Sequence, residues 1–139
     1  MAGFTLREHT ADVAVEAQGG DLGATFAAVA DGLAAAMCDD WPAATDPDGG
    51  DRHDLRVESE SPEAALYDYL DQLIYERDVK GVLPVDNEAT VADEWVVDAS
   101  YRGVPLSAVT AREVKAVTYS EMRVERVDGG WEAYVVFDV

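Results

Sequence analysis

The sequence predicts an α+β fold: a single-domain two-layer sandwich of a mostly antiparallel or mixed sheet and two amphipathic helices. Two segments, 22–37 and 61–78, repeat apolar residues at spacings of three and four. Much of the rest alternates apolar and polar residues in short runs, as half-buried strands do. At 139 residues and 48% hydrophobic content, the chain fits one domain, 1–139, with one core.

Taken in order, Phe4 to Arg7 is a short extended segment, interrupted by His9-Thr-Ala-Asp12. Val13, Val15 and Ala17 then alternate with Ala14 and Glu16 as a strand, and Gly19-Gly20 turns the chain. Asp21 is a good N-cap for a helix whose stripe is Leu22, Phe26, Val29, Leu33 and Met37. Gly23 and Gly32 weaken that helix locally but allow close packing on the sheet. If the strands flanking this helix share a sheet, it makes a crossover and part of the sheet is parallel. Asp39 to Asp54 is rich in Asp, Pro and Gly and reads as a long exposed loop. Its acids lack the spacing of an EF-hand.

Leu55, Val57 and Ser59 mark the next strand. Ser61-Pro62-Glu63 is a helix start, with a capping serine, a proline at the first helical position and an acid in the first turn. The stripe Leu66, Tyr69, Leu70, Leu73, Ile74 and Arg77 carries that helix to about Asp78, and Gly81 follows. Val82 to Val85 is short and holds Pro84, so it is either an edge strand or a strand entry. Trp95 to Tyr101 alternates as a strand, and 103–110 reads as a loop. Val114 to Val127 is one long extended stretch. Asp128-Gly129-Gly130 is a hairpin turn into the last strand, Trp131 to Val139.

The net charge is −19, from 29 Asp and Glu against ten Lys and Arg, and only Lys80 and Lys115 are lysines. An even spread of acids along the chain favours adaptation to molar salt over one cation-seeking patch. No basic stripe is present, so direct nucleic-acid binding is not expected. Cys38 stands alone and is expected to be a small buried hydrophobe, with no intrachain disulfide or thiolate zinc cluster. No signal peptide and no apolar stretch of about 20 residues is found. The expected location is cytoplasmic, with no membrane contact; the oligomeric state is open.

Three places could carry chemistry. The last strand runs to its final residue, setting the Asp138 carboxylate beside the terminal carboxylate of Val139. Paired oxygens of that kind suit a hard cation, although the strand alone favours simple exposure of Asp138. His9 and Asp12 form a His-x-x-Asp spacing, whose commoner meaning is a turn with Asp12 on a backbone N–H. Lys115 is either an exposed strand residue or a cation held near carboxylates. No nucleophile motif and no glycine-rich phosphate loop accompanies them.

Taken together, His9-Thr-Ala-Asp-Val13, the helix opening Asp21-Leu-Gly-Ala-Thr-Phe, Ala65 to Tyr75, Glu113-Val-Lys-Ala-Val-Thr-Tyr119 and the ending Val136-Phe-Asp-Val139 resemble the archease family. The similarity covers nearly the whole chain in the right order. It implies a small protein activator and not an enzyme: archeases assist the RtcB-type RNA ligase in tRNA splicing. They promote guanylylation of the ligase, its repeated turnover and a broader choice of nucleotide. The resemblance further implies a divalent cation, Ca²⁺ with Mg²⁺ or Mn²⁺ as alternatives, held by Asp12, Asp138 and Val139. Those ligands are oxygen only, which suits hard cations over zinc. It also marks Lys115 as functionally important, with an interaction role; His9 is a second partner or functional candidate, as a pH-sensitive ligand or general base, although a satisfied structural histidine is the commoner outcome. Glu8, where an aspartate commonly stands, and Thr110-Ala-Arg before the lysine segment depart from the family pattern. Two alternatives remain at this level: a general chaperone or modulator of DNA- and RNA-processing proteins, and a stand-alone metal-dependent hydrolase.

Overall fold

The computed structural model describes residues 3–9, 12–38, 51–108 and 111–139, with backbone alone at 7–9 and 108. Among the described residues, eight strands and two α-helices form an α+β sandwich. β1 (Gly3–His9), β2 (Asp12–Gly19), β8 (Gly130–Asp138) and β6 (Ala116–Val117) follow one another across a five-stranded sheet. β7 (Arg123–Val127) pairs with the earlier part of β8, on residues 130–134. β3 (Asp51–Glu58), β5 (Val96–Pro105) and β4 (Val82–Ala92) form a second sheet in that order. Helices α1 (Leu22–Met37) and α2 (Pro62–Lys80) each pack against both sheets.

The helix signals hold in detail. The Asp21 carboxylate accepts from the Ala24 N–H at 2.7 Å, capping α1. Leu22, Phe26, Val29, Leu33 and Met37 are all buried. The two glycines of α1 mark its closest approaches to the sheets. A Cβ on Gly23 would collide with the Ala89 carbonyl oxygen of β4, and one on Gly32 would sit 2.5 Å from Val15 of β2. Ser61 caps α2 through its hydroxyl, which accepts from the Ala64 N–H at 3.1 Å. Gly81 ends α2 in the left-handed region at φ 66°, where a side chain would be strained. Cys38 is buried and reduced.

Five local expectations are revised. Every described strand pairing is antiparallel, so α1 joins two sheets and makes no parallel crossover within one. β3 begins at Asp51, so Asp51 to Asp54 are paired with β5 and not loop; 39–50 lie outside the described residues. β4 does occupy an edge but runs to Ala92, bent by a bulge between Val85 and Glu88. Asp86 takes φ 51° there, held by the Arg52 guanidinium, which donates to its carbonyl and its carboxylate, each at 2.9 Å. The 114–127 stretch splits into β6 and β7. A turn at Glu121, φ 55°, lets each pair with a different part of β8. β5 extends through Pro105, into residues expected to be loop, before a short 3-10 turn over Leu106–Ala108.

Both sheets and both helices close over one core. Tyr69, Tyr101, Phe26 and Phe137 are its largest fully buried side chains. The Tyr101 hydroxyl donates to Glu76 at 2.7 Å, and Lys80 reaches the same carboxylate oxygen at 2.8 Å. Phe137 sits one residue before the paired-acid position, so core packing anchors the strand that carries it.

Candidate functional site

Strand register builds the site. In the antiparallel ladder of β1 and β2, His9 lies opposite Asp12; in that of β2 and β8, Asp12 lies opposite Asp138. Across the next ladder Asp138 lies opposite Ala116 of β6. The four positions form one row at the end of the sheet. Residues directly opposite in an antiparallel pair share a face, so Asp12 and Asp138 project from the same side. Val13 and Phe137, the next pair inward, turn the other way, Phe137 into the core and Val13 packed against it.

The end of β8 is fixed by its neighbours. The Lys115 N–H donates to the Asp138 carbonyl at 2.8 Å, and Thr118 donates to the Val136 carbonyl through both its N–H (3.1 Å) and its hydroxyl (2.9 Å). Asp12 is half-buried, whereas Asp138 and Val139 are exposed. Backbone pairing therefore runs to the end of β8 while its last side chains stay open to solvent. The Lys115 side chain is exposed, and no ion pair joins it to Asp138 among the described residues.

Chemically, the row offers two carboxylates on one face. No group of three His, Cys, Asp or Glu side chains placed to hold a metal occurs among the described residues. The donor set fits a hard, oxygen-seeking cation.

The Archease protein family model matches residues 4–139. The chain belongs to the archease family. The archease of Pyrococcus furiosus is 32% identical over 95% of each chain, and that of Archaeoglobus fulgidus is 33% identical over 98% of each. Among solved structures, protein 1598 of Methanobacterium thermoautotrophicum superposes with a TM-score of 0.79, 26% identity and 99% coverage of both chains. The Thermotoga maritima archease, described as a possible chaperone, shares the fold at a TM-score of 0.65 and 22% identity, over 96% of this chain and 94% of that one.

On this archease fold, two features away from the row escaped the sequence reading. A cleft of about 520 Å³ opens beside α1, between the start of β1 and the β4 bulge. There the Asp31 carboxylate accepts from the N–H and side-chain amide of Asn87, at 3.1 and 2.9 Å. Burial pushes the Asp31 carboxyl above its ordinary pKa, with the Asn87 donors acting against it. The available signal was Asp31 itself, the one charged residue inside α1. The second feature is Arg123, which meets Glu132 and Glu125 at 2.9 Å and Glu16 at 3.7 Å, and lies over the Tyr134 ring. It ties β7, β8 and β2 together on the sheet's outer face. Its partners are far apart in sequence, so no local pattern marks it.

Proposed function

We propose that this chain is a protein activator of an RtcB-type RNA ligase in tRNA splicing, promoting ligase guanylylation and multiple turnover and widening its nucleotide use. Membership of the archease family supports the class. The observation that carries the site is the direct register of Asp12 against Asp138 at the end of β8. Asp12, Asp138 and the carboxylate after Val139 would hold a divalent cation, Ca²⁺ ahead of Mg²⁺ or Mn²⁺. When bound, that cation supplies positive charge and open coordination positions for phosphate oxygens at an otherwise acidic edge. His9 and Lys115 adjoin the same row through backbone pairing and are assigned to partner contact.

The experiment is multiple-turnover ligation by a purified RtcB-type ligase, with and without this chain, in buffer and in molar salt. A rise in turnover that Asp12→Ala abolishes is expected. Unchanged turnover in both buffers would reject the reading. The description of the Thermotoga maritima relative as a possible chaperone favours a second reading, a general modulator of nucleic-acid-processing proteins. That reading predicts suppression of aggregation of unrelated clients, which a ligase-specific activator should not show.

A further inference from the structure

Helix α2 buries Leu66, Tyr69, Leu70, Leu73 and Ile74. Away from that face, Tyr67, Asp71, Tyr75 and Val79 follow one another four residues apart, so they line up along the helix. Tyr75 is 56% exposed and Val79 61%. Tyr67 stacks on Tyr119, with ring centroids 4.2 Å apart and planes within 9°. Tyr119 is itself 54% exposed. Among the described residues these three are most of the exposed large apolar side chains, the others being Leu6 and Val139. Tyr119 closely follows β6, whose Ala116 lies opposite Asp138. The strip thus runs from the end of α2 towards the candidate cation row.

Its charge is one-sided. Asp71 lies within the strip and Asp68 beside it, close enough to Tyr119 to help hold the phenol above its ordinary pKa, after burial. Lys80 is engaged on Glu76 and the buried Arg77 on Asp78, both at 2.8 Å. A second copy of this chain, at −19, would bring like charge to this face. A basic partner would bring opposite charge, and arginine or lysine over exposed tyrosine rings adds cation–π attraction. Exposed aromatics with little cost in side-chain entropy are also the residues that anchor interfaces.

We propose that the Tyr119–Tyr67–Tyr75–Val79 strip docks a basic, amphipathic segment of a protein partner, with cations over the rings and beside Asp68 and Asp71, and apolar residues on Tyr75 and Val79. The proposal rests on the reading of the chain as a protein activator and names the surface that reading requires.

The test uses the full chain, a Tyr75→Ser/Val79→Ser double variant and a Tyr119→Ser variant, none of which changes net charge. Calorimetry against a purified RtcB-type ligase should show binding weakened at least about tenfold in the double variant, with Ca²⁺ affinity unchanged. Ligase binding within about twofold of the parent would overturn the proposal. In a second arm, a synthetic helical peptide of arginine and leucine is titrated while backbone amide shifts are followed. Perturbations confined to residues 67–79 and 115–122 are expected, and perturbations elsewhere overturn the proposal. A parent chain that fails to bind the ligase rejects the activator reading, and the peptide arm then decides the strip alone.

Discussion

Replacing Asp138 with asparagine should stabilise the chain in chelator and remove most of its stabilisation by calcium. Asp12 and Asp138 are direct partners across the β2–β8 ladder, which sets their Cβ atoms roughly 5 Å apart on one face. Two negative charges about 6 Å apart in water repel by about 0.7 kcal/mol. Salt at about 0.1 M, with a Debye length of ~10 Å, reduces this to about 0.4 kcal/mol. Asp138→Asn should therefore raise Tm by about 1–2 °C in EGTA, given roughly 2–4 °C per kcal/mol for a domain near this size. Calcium at ~100 times its Kd should add about 2.7 kcal/mol to the parent, or roughly 8 °C. The variant, short of one ligand, should gain far less. Differential scanning calorimetry in EGTA and in CaCl₂ measures all four values. Equal calcium shifts in the two proteins would refute the ligand role of Asp138. A variant less stable than the parent in EGTA would refute the repulsion argument.

Three further outcomes are expected. One glycine appended after Val139 should weaken Ca²⁺ binding in a calorimetric titration without lowering the melting temperature in chelator; unchanged affinity would remove the terminal carboxylate from the ligand set. Gly23→Ala should destabilise the chain by about 1–3 kcal/mol in urea, because its new methyl meets the Ala89 carbonyl and lies 2.9 Å from the Thr90 Cα, while Ca²⁺ affinity stays as it was. Tyr101→Phe should cost about 1.5–3 kcal/mol near neutral pH, the range for a hydrogen bond to a charged group. Burial alone would push the Glu76 carboxyl up, but Lys80, Tyr101 and Gln72 together hold it below the ordinary carboxylate range. A depressed folded pKa gives stability that is present above the unfolded value and lost as pH falls through the folded one. The difference between Tyr101→Phe and the parent should therefore shrink on acidification, and urea midpoints measured from neutral pH into the acid range would show it.

Local rules were enough wherever a structure is decided by neighbours in the chain. Asp21 and Ser61 announced two helix starts because capping involves residues three apart, and Gly81 announced an end because a left-handed residue there favours glycine. The α1 stripe was legible for the same reason, and Gly23 and Gly32 correctly signalled close packing. Legibility failed where pairing partners are distant. Asp51 to Asp54 look like loop by composition, yet the ladder with β5 supplies their backbone partners. The 114–127 run looks like one strand because nothing local shows that β8 can take two partners along one edge.

The candidate site divides in the same way. Sequence alone determined the chemistry on offer: a histidine and an aspartate three apart, an aspartate in the last strand, a lysine in the segment before β6, and a surface with excess acid. It also determined the family, through motifs spread over the whole chain. Only the tertiary structure decided that Asp12 stands opposite Asp138 on one face, with Lys115 bonded to the same strand end through its N–H. The reason is the period of two along a β-strand. A register shifted by one residue would turn one carboxylate towards the core and separate the pair. That register is set by the buried packing of Val15, Val135 and Phe137, and not by the acids themselves.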